Sequence, residues 1–166
     1  MPVLKSGEKG SRSKVYISLG SNLGDKEKNL KDAIEFMKCL SYTDVISVSP
    51  FYLTEPQGVK EQPYFLNGVV KLETMLKPDE LLDKLKRIEE TMGRKKTRRW
   101  GPRIIDLDIV FYDDIVLEDE KLVIPHPQLR NRWFVLKPLN DIEPDFKHPV
   151  IGKTVNQLLE EINGKV

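Results

Sequence analysis

The chain has 166 residues, 39% of them hydrophobic and 32% charged, with a formal net charge of +1. That length suits one domain with a real core, and the near-zero net charge excludes whole-molecule attraction to nucleic acid or a membrane surface. No apolar run reaches the length of a membrane span and the N-terminus lacks a signal-peptide core, so the cytosol is the expected location.

Residues 1–13, rich in Lys, Ser and Gly without periodicity, are expected to form a mobile tail ahead of a single domain at 14–166. Val15 to Leu19 reads as a strand ending in the turn cluster Gly20-Ser21-Asn22-Leu23-Gly24-Asp25. The glycine spacing and the lack of a following Lys-Ser or Lys-Thr argue against a phosphate loop, and Asp25 is a natural N-cap. Leu30, Ala33, Ile34, Met37 and Leu40 then recur at helical spacing, and the single cysteine, Cys39, falls in this pattern as a packing residue.

Asp44 to Leu53 alternates around Ile46 and Val48, but Pro50 interrupts it, which predicts an edge strand or a bulge. Thr54 to Pro63 is loop. Phe65 to Thr74 is a strand with Val70, Leu72 and Thr74 on one face and Phe65, Asn67 and Val69 on the other. Pro78, followed by Asp79 and Glu80, opens a helix whose buried stripe is Leu81, Leu85, Ile88 and Met92, and Gly93 ends it.

Six cations follow without an acid: Arg94, Lys95, Lys96, Arg98, Arg99 and Arg103. Directly after them comes an apolar run carrying Asp106 and Asp108. If Ile104 to Tyr112 is a strand, alternation sends both carboxylates to one face and Leu107, Ile109 and Phe111 to the other. Neighbouring carboxylates resist desolvation together, and a divalent cation with oxygen ligands relieves that. Mg2+ held by one or two carboxylates completes its shell with water and phosphate oxygens, and arginine forks match phosphate. The combination reads as a polyphosphate-handling site. Taken singly, the Asp pair also fits a salt-bridged or solvent-facing pair, and the basic run a solvated loop or nucleic-acid patch.

The order to this point, β-α-β-β-α-β, is that of a ferredoxin-like α+β fold: an antiparallel sheet with both helices on one face. A C-terminal extension follows. Ile115 to Ile124 predicts a hairpin, Pro125-His126-Pro127 a rigid turn, and Trp133 to Leu136 a short extended piece. Thr154 with Gln157 forms a capping box ahead of a packing helix with Val155, Leu158, Leu159 and Ile162.

These residues resemble the 6-hydroxymethyl-7,8-dihydropterin pyrophosphokinase family of folate synthesis. The matching features are Gly20-Ser21-Asn22, Gln62-Pro63-x-Phe65-Leu66-Asn67, Gly93-Arg94, Arg99-Trp100-Gly101-Pro102-Arg103-x-x-Asp106-Leu107-Asp108, Pro125-His126-Pro127 and Arg132-x-Phe134. The resemblance implies ATP-dependent transfer of a pyrophosphoryl group to the pterin hydroxymethyl oxygen, with release of AMP. It implies two Mg2+ ions on Asp106 and Asp108, with Arg94 and Arg103 assisting catalysis. ATP contacts are implied for Glu89, Arg94, Lys96, Arg99, Trp100, Arg103, His126 and Arg132.

On the pterin side the resemblance implies stacking by Phe65 and Phe134, a side-chain contact from Asn67, and main-chain contacts near Thr54 and Gln57. The loop from Lys95 to Trp100 is expected to close over ATP. Two positions depart from the family's pattern: Lys96 stands where arginine is common, keeping the charge without the bidentate fork, and Glu55 follows Thr54. The implied partners are small molecules only, with no nucleic acid or membrane, acting on a monomer. The rival readings are an RNA-binding module on a ferredoxin-like sheet, and a different two-metal transferase sharing the Asp pair but not the pterin-side residues.

Overall fold

The computed structural model describes residues 12–55, 64–93 and 103–164. Most of the expected tail, the segment 56–63 and the basic loop 94–102 lie outside these residues, and with them Gln57, Arg94, Lys96, Arg99 and Trp100.

The first half follows its local signals. Strand β1 (Ser13–Ser21) leads to helix α1 (Lys26–Lys38), which Asp25 caps by accepting the Lys28 N–H at 3.1 Å. Leu30, Ala33, Ile34 and Met37 are its buried stripe, whereas Cys39, expected to pack with them, is exposed at the C-cap. The single strand expected from Asp44 to Leu53 is two, β2 (Thr43–Val48) and β3 (Tyr52–Thr54), both paired antiparallel to β4 (Phe65–Thr74). Pro50 sits at the break, where it cannot donate to a ladder. Ser49 spans it: its N–H donates to Val69 O, and its hydroxyl accepts the Val69 N–H, each at 2.9 Å. Of the two expected alternatives the edge strand is found, since β2 lies at the end of the sheet order; a separate register shift falls earlier, between Val45 and Ser47, and Ile46 and Val48 are exposed.

Helix α2 (Pro78–Thr91) begins at its proline and ends at Met92, with Gly93 at φ +90°. Strand β5 (Asp106–Tyr112) then pairs with β1, giving the order β2-β4-β1-β5 with β3 beside β4. This is the ferredoxin-like sheet, and α1 and α2 pack on one face over Val15, Ile17, Val70, Leu72, Leu107 and Ile109.

The β5 pattern departs from strict alternation at one point. Its register with β1 shifts between Tyr16 and Ile17, so Val110 is an extra residue. A bulge of this kind turns the following side chain over. Phe111 therefore leaves the face of Leu107 and Ile109, where alternation put it, and joins Tyr16 and Val69 in a second core on the opposite face.

From Leu129 onward the C-terminal extension covers that second face, while its hairpin packs against the first core through Ile124, Leu117 and Leu122. A two-stranded hairpin, β6 (Leu117–Glu118) and β7 (Val123–Ile124), precedes a 3-10 turn at Leu129–Asn131. The piece Trp133 to Leu136, expected to be extended, is instead the first turn of helix α3 (Trp133–Ile142). Pro138 inside the helix weakens the local helical signal; burial of Val135, Leu136, Pro138 and Leu139 against the sheet overrides it. Helix α4 (Val155–Asn163) has the expected capping box at Thr154 and Gln157 and buries Val155, Leu158 and Leu159. Glu143, just past α3, ties this layer down by accepting from Tyr16 Oη at 2.7 Å and Lys71 Nζ at 2.6 Å. Burial alone would raise its pKa, but the bonds from Lys71 and Tyr16 outweigh that and hold it below the usual carboxylate range.

Candidate active site

One end of the sheet, on the face opposite α1 and α2, carries the candidates Asn67, Asp106 and Asp108. Directly opposed positions of antiparallel strands point to the same face. The pairing therefore lines up Asn67, Gly20 and Asp106 in one row across β4, β1 and β5, and Val69, Ser18 and Asp108 in the next. The expected placement of the two aspartates on a common face holds, with Asp106 half-buried and Asp108 exposed.

The β4 side of this row is built to orient an amide. Asn67 is buried, and its Nδ2 donates to Thr54 Oγ1 at 2.9 Å and to Tyr52 O at 3.2 Å. Thr54, expected to contribute only main chain, thus contributes a hydroxyl that fixes Asn67. With the amide nitrogen committed to β3, Oδ1 lies over Gly20, where an added Cβ would stand 3.4 Å from Asn67 Oδ1 and 3.4 Å from the Phe65 ring. Glycine at position 20 keeps that floor open.

The wall comes from the extension. Phe134 is half-buried against the second core, and the Arg132 guanidinium sits 5.8 Å from its ring centroid, a cation–π contact. His126 is anchored to the bulge residue, its N–H donating to Val110 O at 3.0 Å. The Gln128 N–H donates to His126 Nδ1 at 3.1 Å, which leaves Nε2 as the ring's protonated nitrogen. Burial, and then the charge of Arg132, lowers its pKa to about 4. His126 is therefore a neutral hydrogen-bond donor near pH 7, not a cation.

That lowered value has a direction in stability. The folded chain binds the His126 proton less readily than the unfolded chain, whose histidine titrates near 6.5. The contribution is fully present above about pH 6.5 and is lost as pH falls toward 4, amounting to at most about 3 kcal/mol. Replacing His126 with glutamine is expected to flatten the fall in stability between pH 6.5 and 4 relative to the unaltered chain, as read from urea melts across that range; an unchanged slope would contradict a neutral His126.

Two further residues hold the carboxylate strand. Glu89, buried on α2, accepts the Leu107 N–H at 2.8 Å, on the outer edge of β5 between the two aspartates. Asn22, wholly buried, exchanges two bonds with Arg103: its N–H donates to Arg103 O at 3.0 Å, and the Arg103 N–H donates to Asn22 Oδ1 at 2.7 Å. Sequence reasoning gave neither residue this structural part. The only signal for Asn22 was its place in the Gly20-Ser21-Asn22 cluster.

The donor chemistry fits a hard cation. Among the described residues no third His, Cys, Asp or Glu gathers with another two into a metal cluster. A pair of carboxylates that relies on water and phosphate for the remaining positions is the donor set Mg2+ takes beside a nucleotide. No helix among the described residues is long and apolar enough to cross a membrane.

A ferredoxin-like sheet with a carboxylate pair at one end and a fixed amide beside it is a framework suited to phosphate chemistry. The sequence profile of the 7,8-dihydro-6-hydroxymethylpterin-pyrophosphokinase (HPPK) family matches residues 16–144, and the chain belongs to that family. It is 42% identical over 149 residues to the 2-amino-4-hydroxy-6-hydroxymethyldihydropteridine pyrophosphokinase of Haemophilus influenzae, covering 88% of this chain and 93% of that one. It is 46% identical over 148 residues to the folic acid synthesis protein fol1 of Schizosaccharomyces pombe, covering 89% of this chain but 20% of that protein. The chain thus spans about a fifth of the fungal relative and nearly all of the bacterial one. The fold matches the HPPK-DHPS protein of Plasmodium falciparum crystallised with pteroate, with a TM-score of 0.75 at 18% identity over 95% of this chain and 44% of that one.

Proposed function

We propose that the chain transfers the β- and γ-phosphates of ATP as one unit to the hydroxymethyl oxygen of 6-hydroxymethyl-7,8-dihydropterin. A bond forms between that oxygen and the β-phosphorus, the bond from the β-phosphorus to the bridging α–β oxygen breaks, AMP leaves, and the hydroxyl proton passes to solvent. The observation that carries this reading is the row Asn67–Gly20–Asp106. Asn67 and Asp106 stand two strand spacings apart, about 10 Å, a span that a bicyclic ring with one hydroxymethyl substituent bridges. The ring's polar edge then meets the amide while its hydroxyl lies toward the carboxylates.

The residues divide along that row. Asn67, held by Thr54, reads the ring edge, and Phe65 and Phe134 stack on its faces, with Gln57 completing the rim. Arg132 and His126 Nε2 donate to nucleotide phosphate, together with Arg94, Lys96, Arg99 and Arg103, while Trp100 and Glu89 border the nucleotide. Asp106 and Asp108 would hold Mg2+, two ions in this reading, which when bound neutralises phosphate charge and acidifies the acceptor hydroxyl. Positioning and charge stabilisation are then the main demands on the protein, and no dedicated base is needed. The working unit is residues 14–166 as one domain, acting as a monomer in the cytosol.

Thermal unfolding with ligands separates this from the rival readings. At about a hundredfold its dissociation constant, a ligand adds about 2.7 kcal/mol, or roughly 5–11 °C at this size. The pterin, with Mg2+ and α,β-methylene-ATP, is expected to raise Tm by that order. A shift from the nucleotide with no further shift on adding the pterin would point to another acceptor, and a shift only from single-stranded RNA to a nucleic-acid module.

A further inference from the structure

The β1–β5 ladder ends at Gly20 and Asp106, yet the chains stay tied beyond it. Asn22 continues the pairing with a side chain in place of a strand: its amide oxygen takes the Arg103 N–H at 2.7 Å, and its own N–H returns a bond to Arg103 O at 3.0 Å. Both backbone groups of one residue are thus held by one buried asparagine. Between this clamp and Asp106 lies Ile105, wholly buried in the core under α1 and α2. The backbone from Arg103 to Asp106 is pinned at both ends and in the middle.

We infer that Asn22 is a positioning residue for phosphate transfer, setting where the Arg103 backbone stands relative to Asp106 and Asp108. The inference deepens the proposed function and rests on it. It follows from the placing of a side-chain oxygen beside a main-chain donor. The side-chain acceptor and the main-chain donor of one short residue satisfy Arg103 in both directions, and a residue lacking the side-chain oxygen leaves the Arg103 N–H without it. Loss of the clamp lets the arginine-bearing segment drift while β5 itself stays paired to β1. Misplacement of about 1 Å at a site that works by positioning costs up to about a hundredfold in rate.

The test compares Asn22→Ala and Asn22→Asp with the unaltered chain. The aspartate keeps an oxygen at the Oδ1 position and serves as the conservative rescue. For Asn22→Ala, kcat/KM for ATP is expected to fall on the order of tenfold to a hundredfold, affinity for Mg2+ with α,β-methylene-ATP to weaken, and the Arg103 amide to exchange its hydrogen faster, with pterin affinity unchanged. Asn22→Asp is expected to regain most of each. A lower Tm with unchanged kcat and unchanged KM for both substrates would overturn the inference, leaving Asn22 a fold residue only. If the alanine variant does not fold, the aspartate variant decides. Retained activity with a protected Arg103 amide supports the clamp, and equal loss of affinity for both substrates contradicts it. Nucleotide affinity and amide exchange are measured without pterin, so they judge the inference even if the unaltered chain shows no pterin-dependent AMP release, an outcome that would count against the proposed function instead.

Discussion

Replacing Asp108 with alanine is expected to lower pterin-dependent turnover by at least about 10³-fold, some 4 kcal/mol of activation free energy, while the fold stays intact. Asp108 is exposed, on the face of β5 turned away from α1 and α2. The strand is held by other means: pairing to β1, the bond from Leu107 to Glu89, and the burial of Leu107 and Ile109. Substitutions at such exposed positions usually change stability by no more than about 0.5 kcal/mol. The chemistry, by contrast, brings polyphosphate next to this carboxylate and needs its charge compensated there. Single-turnover rates together with a circular dichroism melt check both halves. Unfolding of the variant would mean that the pair is structural.

Replacing Glu89 with alanine is expected to do the reverse in proportion, costing about 2 kcal/mol of stability and roughly 4–8 °C in Tm, with a loss of rate that follows from it. Its carboxylate is buried and takes the Leu107 N–H on the outer edge of the sheet. Removal leaves that buried donor without the acceptor it now has, and the strand carrying both aspartates loosens from α2. Glutamine at position 89 keeps an oxygen in place and should recover most of the lost stability. A melt of Glu89→Ala matching that of the unaltered chain would show that the bond contributes nothing and that Glu89 matters only to the nucleotide.

The contrast between these two acids shows what can be read from a sequence and what cannot. Asp108 was legible because strand alternation is local and an Asp-x-Asp after a basic run is chemically pointed. Glu89 was legible only as a position matching a family, because its burial depends on how α2 meets β5. Caps behaved like Asp108: Asp25, Pro78 and the Thr154–Gln157 pair act within one helical turn, and each stands where its spacing placed it. The bulge at Val110 was not legible, since the extra residue exists only relative to Tyr16 on another strand. Trp133 to Leu136 misled for a related reason: the sheet face that makes it helical is supplied by residues far away in the chain. The clamp between Asn22 and Arg103 spans 81 positions, and no local pattern encodes it.

The central claim is that two phosphates move together to a pterin. The most direct test is a quenched reaction of the chain with ATP, Mg2+ and 6-hydroxymethyl-7,8-dihydropterin, with the nucleotides separated and counted against pterin consumed. The account predicts one AMP for each pterin converted, and none without the pterin. Formation of ADP in place of AMP, or AMP released at the same rate without the pterin, would contradict it.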